Sequence, residues 1–424
     1  MSENAISSVN DPRGRRVGLA GFLIWLFALL PPIGLYAPLG VAPLLTVVAI
    51  AVVICEPRRY WAAIRESRWL IAAFVAVALW GTLTSLWSTL PGHSAFEGGR
   101  LLTITASGFA VVVGLGTLTA VERSKLVNVV AISVMVTVFV FSIDVALKLP
   151  LLRILLGATR ETYIPLERFD RGTTVLGLIF WPIGLALWSS RRRLVLIGLV
   201  IATVVALVLI PSTTNRIAAV MGLLIWCAAF WWPRVATVVM LGGLIVVGLG
   251  MPHAVSWVLP RNETVVDLHQ SAPWIKHSAL HRLLIWRFTS ERIKEHPMIG
   301  WGMDASRELP GGHENLAASY PDAGLDPGAP IPHADALPLH PHNAFLQWWV
   351  ELGLPGVVLC LAIVGSLLWR IGNMVAAGPR AASLACAAAG LTIALLGYGV
   401  WQAWWMSTLW LAAALLARPF PTRL

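Results

Sequence analysis

The stretch from His340 to Gly356, HPHNAFLQWWVELGLPG, puts two histidines and an asparagine at the mouth of an apolar segment and a glutamate inside it. Polar groups in an apolar medium are costly unless satisfied, so this placement signals a site or a buried network. If a helix begins at Asn343, whose side chain can cap it, then Asn343, Gln347 and Glu351 follow at steps of four and form one polar stripe. His342 stands at the end of that stripe. A neutral imidazole beside a bound polyanion can take a proton from a hydroxyl near pH 7, which makes His342 the candidate catalytic residue, with helix capping as the structural alternative. A metal pair with His340 is disfavoured, because it needs a third ligand and His313 and His333 lie well apart from it in the chain.

Arginines are the natural partners of a polyanion. Arg282 has Ser278, Ala279, Ile285 and Trp286 as its neighbours on a helix, with no acid among them, so its partner must come from elsewhere. Arg216, in PSTTNRIAAV, lies at the start of an apolar run, where the helix dipole disfavours a cation. Free N–H groups there, with the hydroxyls of Ser212, Thr213 and Thr214, would instead suit an anion. In RFDRGTTVL, Arg168 and Arg171 flank Asp170 and follow Glu167, so ligand contact and internal pairing both stay open. Arg287 can pair with Glu291 on a helix surface, and Arg292 with Glu291 or Glu295. The candidate substrate-binding set is Arg216, Arg282, Arg171, Arg168, Asn343 and Arg287.

The elements that must position these groups lie in lipid. With 424 residues, 57% of them hydrophobic and 12% charged, and a mean hydropathy of +0.76, the chain is an all-α integral membrane protein. About twelve spans are predicted, near 17–34, 37–54, 69–87, 100–118, 126–147, 173–189, 194–210, 217–233, 235–251, 344–369, 381–398 and 401–417. The first follows Arg13, Arg15 and Arg16 and has no small-residue cleavage pattern, so it is expected to stay uncleaved. Arg58, Arg59, Arg123, Arg191, Arg234, Arg370 and Arg380 all fall in short connections on one side, which the positive-inside rule makes cytoplasmic, together with both termini. The chain then divides into residues 1–251 with spans one to nine, a large outer loop at 252–342, and residues 343–424 with spans ten to twelve. Inside that loop, Leu280, Leu283, Leu284 and Phe288 recur at helical spacing and predict an amphipathic helix from Lys276 to Glu295, lying on the membrane interface or on the spans. A Gly/Pro-rich stretch after it is expected to be a lid or a linker.

A formal charge of +10 could suggest nucleic acid, but the charges sit in short blocks between apolar runs and no basic soluble domain exists to bind it. Cys55, Cys227, Cys360 and Cys386 fall within or at the ends of apolar runs, which argues against a disulfide framework or a thiolate metal site.

HNAFLQWWVELGLPG has His342, Asn343, nine residues, Gly353, two residues and Gly356, and RLLIWRFTSERIKEHPMIGWG has Arg282, Trp286, His296, Pro297, Gly300 and Gly302. Together these blocks resemble the O-antigen ligase and polymerase superfamily, with TTNR around Arg216 and the span layout in support. The resemblance implies a GT-C-type glycosyltransferase of the bacterial inner membrane. Such an enzyme moves a glycan from an undecaprenyl-diphosphate donor on the periplasmic side, among membrane lipids. By the same resemblance Arg216 and Arg282, and less directly Arg171, engage the diphosphate, and His342 is the essential histidine. A diphosphate leaving group needs charge neutralisation, which fixed arginines supply without a metal or other cofactor, and a one-step attack inverts the anomeric carbon. The single large loop between spans nine and ten favours an O-antigen ligase with a lipid A-core acceptor. A polymerase, a protein O-oligosaccharyltransferase and, outside catalysis, a transporter for a lipid-linked glycan are the alternatives. A transporter would need ionisable residues along a path through the bilayer, and within the spans Asp144 and Glu351 are the main candidates.

Overall fold

The computed structural model describes residues 12–260, 274, 277–315 and 335–417. In chain order its helices are α1 (Pro12–Tyr36), α2 (Val41–Cys55), α3 (Pro57–Glu66), α4 (Arg68–Leu83), α5 (Pro91–Gly116), α6 (Ala120–Ala146), α7 (Pro150–Leu156) and α8 (Asp170–Ser189). They continue with α9 (Arg193–Leu209), α10 (Thr213–Trp231), α11 (Pro233–Val258), α12 (His277–Glu295), α13 (Ala344–Gly372), α14 (Ala377–Leu396) and α15 (Ala403–Leu416). Among the described residues no strand forms, and the only bridge joins Asn315 to Asp335. Ten of these helices are long and apolar enough to cross a membrane, while α9 and α15 are apolar but shorter, at 17 and 14 residues.

The helices are apolar on both faces, as a bilayer requires. In α2, Val41, Leu44, Leu45, Val48 and Val52 pack inward, while Val47, Ile50 and Ile54 point outward and stay exposed. Each expected span has its helix, with one shift that matters for the site. The fourth begins at Pro91 rather than near residue 100, because PGHSAFEGGR continues the helix with its polar side chains turned inward. Ser94, Glu97 and Gly98 are all buried there. At Gly98 a Cβ would sit 2.1 Å from the Thr82 hydroxyl, so only glycine permits this crossing of α4 and α5.

The expected amphipathic helix is α12. Its Leu280 and Leu284 pack on Val255 and Leu259 at the end of α11, and its Ile285 and Ile293 join Leu346 and Val350 of α13. It therefore rests on the spans. The Gly/Pro-rich stretch, including His333, lies outside the described residues.

The helix α13 is kinked at Gly353, whose φ of 63° and ψ of −169° belong to a region that only glycine enters freely. The kink frees backbone groups, and the segment after His296 satisfies them. Trp301 N–H donates to the Val350 carbonyl at 2.8 Å, Gly302 N–H to the Glu351 carbonyl at 2.9 Å, and Leu354 N–H to the Pro297 carbonyl at 3.0 Å. From α4, the Trp80 indole donates to the Leu352 carbonyl at 2.8 Å. Two backbones meet this closely only where side chains are missing. A Cβ on Gly300 would lie 2.4 Å from the Glu351 carbonyl carbon, and one on Gly353 would lie 2.5 Å from that of Met298. Gly300 and Gly353, one from each sequence block, thus serve one joint.

Candidate functional site

The polar stripe of α13 secures the ends of the loops around it. Asn343 is fully buried and its Oδ1 accepts from the N–H groups of Phe345 and Leu346, at 3.0 and 3.1 Å, as the cap of α13. Gln347 Oε1 accepts from Val400 N–H at 2.8 Å, and its amide donates to Glu351 at 3.0 Å. Glu351, with no exposed surface, also accepts from Asp304 N–H at 2.9 Å, from the Ser306 hydroxyl and from the Trp401 indole. A single carboxylate thereby ties the segment after α12 and the α14–α15 connection to α13. Asn343 is a positioning residue and does not reach the candidate ligand space, contrary to the substrate contact expected of it.

Held by these ties, His342 faces a cavity of about 890 Å³ that Arg168, Arg171 and Arg282 also line. That volume suits a ligand of substantial size. The walls come from the α1–α2 connection, from α7 and the start of α8, from α12, and from the α14–α15 connection with Tyr398 and Gln402. His342 adopts a left-handed backbone, φ 55°, a conformation that costs energy and tends to persist where geometry is needed. Its Nδ1 lies 2.6 Å from the Gly397 carbonyl. A carbonyl can only accept, so Nδ1 carries the proton and Nε2 is left with its lone pair. Nε2 has no hydrogen-bond partner among the described residues. Burial, Arg282 and His281 hold the imidazole down to about 4, against the opposing pull of the Gly397 bond, so it is neutral at pH 7.

His340 stacks beside it with ring centres 4.3 Å apart. Its two nitrogens each lie 3.2 Å from a backbone N–H, of His342 and of Gly399. A neutral ring accepts through one nitrogen only, so just one of these bonds holds at a time. Burial, His342 and the nearby arginines lower this ring to about 3, and it serves as a neutral strut under the catalytic candidate.

The arginines divide sharply. The guanidinium groups of Arg168, Arg171 and Arg282 have no carboxylate within 4 Å and no hydrogen bond among the described residues; that of Arg171 lies over the Trp404 ring at 5.7 Å. The internal pairing that RFDRG allowed is not formed at that distance. Burial lowers the pKa of Arg282, and Asp170 and Tyr398 oppose that shift. Asp170 shares the cavity and offsets part of its positive charge.

Two expected members lie elsewhere. The Arg216 guanidinium donates to the carbonyls of Leu207, Val208 and Ile210, at 2.9, 3.3 and 3.3 Å, and so closes the carbonyl end of α9. It is absent from the cavity lining; Ser212 and Thr214 of the same segment are present. Arg287 pairs with Glu291 at 3.1 Å and lines a separate cavity of about 310 Å³ with Arg292 and Glu314.

Sequence reasoning passed over several participants. Asn215, beside Arg216, donates to the Asp170 carbonyl at 2.9 Å and accepts from Thr174 at 2.8 Å, locking α10 to the start of α8. Tyr398 has its hydroxyl 3.3 Å from that of Thr174, and burial raises its pKa, so it remains a neutral phenol in the cavity wall. Trp286, by contrast, stands in the sequence block with Arg282, and it fixes the approach to His342 by donating to the Pro341 carbonyl at 2.9 Å.

The structure is thus that of a multi-pass helical membrane protein with a neutral histidine and three unpaired arginines around one cavity. Residues 169–361 match the family model described as O-Antigen ligase, a match that runs from the segment before α8 through the kink of α13. The chain is similar to proteins named "Putative polysaccharide ligase" in several Rickettsia species. It is 30% identical over 262 residues to that of Rickettsia prowazekii (strain Madrid E), covering 61% of each chain. With that of Rickettsia typhi it shares 29% over 262 residues, again 61% of each. With that of Rickettsia felis it shares 28% over 287 residues, 68% of this chain and 66% of the relative. The chain thus spans about 61% of the length of the first of these relatives.

Proposed function

We propose that the protein is an O-antigen ligase that transfers a glycan from undecaprenyl-diphosphate to a lipid A-core acceptor at the periplasmic face of the bacterial inner membrane, on a GT-C-type scaffold. The observation that carries this reading is the shared cavity of His342, with Nε2 unprotonated, and the unpaired Arg168, Arg171 and Arg282. In the reaction, an acceptor hydroxyl oxygen bonds to the anomeric carbon of the donor glycan while the carbon–oxygen bond to the diphosphate breaks. The electron pair leaves with the diphosphate, the three arginines stabilise its charge, and His342 Nε2 takes the hydroxyl proton. The configuration inverts. Arrival of the diphosphate beside His342 favours the imidazolium and raises its pKa from about 4 toward neutrality, strengthening the base as the substrate binds.

The placement of the cavity supports a crossing by α9: its walls come from the connections after the first, fifth, seventh, ninth and eleventh apolar helices, which meet at one end only if α9 crosses as well. With α15 crossing too, there are twelve spans and both termini are cytoplasmic. Transfer is favoured over transport by the state of Asp144 and Glu351, the acids expected along such a path, while Glu97, a further buried acid in α5, is paired with Arg100. Asp144 accepts from Leu151 N–H at 2.7 Å to cap α7, and Glu351 is held by the bonds described above, so neither is free to line a path.

The test is purified protein, undecaprenyl-diphosphate glycan and a chelator, with lipid A-core, lipid-linked glycan or a protein as acceptor. Chelator-resistant product on lipid A-core, lost in His342→Ala, is the expected result. Product on another acceptor alone would move the assignment to a polymerase or a protein transferase. Donor binding without product on any acceptor would sink the transferase reading.

A further inference from the structure

Beside the cavity of His342 lies a second one of about 400 Å³, and the two share Arg171, His340 and Gln402. Its wall carries His93, Glu97 and Arg100 from successive turns at the start of α5, and Asp304 and Arg307 from the segment docked on the α13 kink. His93 Nε2 lies 2.8 Å from Asp304 Oδ2, which also takes Arg307 Nη2 at 2.7 Å. The Arg100 guanidinium pairs with Glu97 Oε2. Yet Glu97 is only 1% exposed, and while Oε2 is held by Arg100, Oε1 is buried without a hydrogen bond, with His93 Nε2 no nearer than 3.9 Å. A buried carboxylate oxygen left open beside a cavity is a costly arrangement for stability alone.

The charges decide what would fit. Glu97 and Asp304 are paired with Arg100 and Arg307, so among the described residues the only arginine of this wall not used by a carboxylate is Arg171, which it shares with the first cavity. The cluster presents carboxylate acceptors alternating with guanidinium and imidazole donors, which is the complement of vicinal hydroxyls, each able to donate and to accept. Trp401 and Trp404 add apolar wall for the C–H face of a ring. A divalent cation is the competing occupant, since His93, Glu97 and Asp304 offer ligand atoms within 4.8 Å of one another. Arg100 and Arg307 set positive charge against both carboxylates and oppose it. Arg168 and Arg282 line only the first cavity, so the diphosphate charge is met there and the second is left for an uncharged group.

We infer that the second cavity binds a sugar residue of the acceptor glycan and presents its hydroxyl to His342 past Arg171 and His340. This rests on the glycosyltransferase reading above. The experiment uses the full chain in nanodiscs, avoiding sugar-headed detergents that would compete. His93→Gln and Arg307→Gln, whose side chains are 32% and 35% exposed, are compared with the buried Glu97→Gln. Each should raise the acceptor KM at least about tenfold, roughly 1.4 kcal/mol, with the donor KM unchanged, and weaken binding of delipidated core oligosaccharide to the same degree. A rise confined to the donor KM, or no change in either, would overturn the inference. So would stoichiometric Mn²⁺ binding that Glu97→Gln abolishes while oligosaccharide binding persists. If the wild type transferred nothing to any acceptor, the proposed function would fail, and the oligosaccharide titration would still decide this inference: binding lost in His93→Gln supports it, and no binding by the wild type overturns it.

Discussion

Replacing Gly353 by alanine tests whether the two sequence blocks act as one joint. Alanine must either hold φ 63° with ψ −169°, at about 1–3 kcal/mol, or relax toward a regular helix and leave the segment after His296. Holding is blocked in addition, because the new Cβ would lie 2.5 Å from the Met298 carbonyl, which is backbone and cannot rotate away. Relaxing breaks the bonds of Trp301, Gly302 and Leu354 across the joint, at about 0.5–1.5 kcal/mol each. With holding blocked, relaxation over the three bonds costs about 1.5–4.5 kcal/mol, a large share of the ~5–15 kcal/mol that holds a typical folded protein. The same relaxation frees the Asp304 segment and withdraws the support under Asn343 and His342. Thermal unfolding followed by tryptophan fluorescence in detergent should show a clearly lowered midpoint, and glycan transfer should fall with it. Gly365→Ala is the control, since its Cβ would meet only leucine side chains at 3.7 and 4.0 Å. If Gly353→Ala kept the wild-type midpoint and activity while Gly365→Ala behaved alike, the joint would not have the role assigned to it.

His342→Ala is expected to abolish transfer and leave binding of the undecaprenyl-diphosphate donor within about twofold, measured by equilibrium titration, because the arginines stay in place. Arg282→Ala should weaken donor binding about 10- to 100-fold, as expected for losing a charge-assisted hydrogen bond of about 1.5–3 kcal/mol. Arg216→Ala should instead lower the thermal midpoint with little change in donor affinity, and a reversed pattern in these two variants would return Arg216 to the site. The pH profile of kcat/KM should rise through about pH 4, where free His342 loses its proton, while that of kcat rises at higher pH in the donor complex. Because this folded-state value lies below the unfolded ~6.5, the unfolded chain binds more protons between the two, so stability contributed by His342 and His340 is lost as pH falls through that window. His342→Gln should flatten that slope in a pH series of thermal midpoints.

The spans were legible because lipid imposes both a length and an apolar surface, and each of the twelve runs carries that demand in its own residues. His342 and Arg282 were legible because each was polar without a local reason. The polar stripe was visible too, but its purpose was not. Gln347 and Glu351 bond to Val400, Trp401 and Ser306, which no local pattern connects to them. Arg216 misled for a related reason, since a helix N-terminus and a basic side chain suggest an anion, whereas the turn before it brings the carbonyl end of α9 within reach. The His93–Glu97 pair shows a clear four-residue spacing in PGHSAFEGGR. That stretch is too polar to register as a span, and its partner Asp304 arrives only when the Gly300 segment docks on the kink.

What separates a binding arginine from a structural one in this chain is whether its charge is already used. Arg153 donates to the carbonyls of Lys148 and Thr162, Arg216 to those of α9, and Arg292 to Glu295. Each of these resolves a local electrostatic need and gains little from a ligand. Arg282 is different, because it is partly buried, its charged form is disfavoured by that burial, and Asp170 offsets the cost without pairing closely. A buried charge left incompletely matched is unfavourable in the free protein and becomes favourable when an anion arrives. Arg168 and Arg171 add their unpaired charge at the same cavity, so the free protein holds an excess of positive potential beside a neutral histidine. Under the proposed function, a diphosphate would relieve that excess and, by the same field, make His342 a stronger base, which would couple binding of the leaving group to activation of the nucleophile.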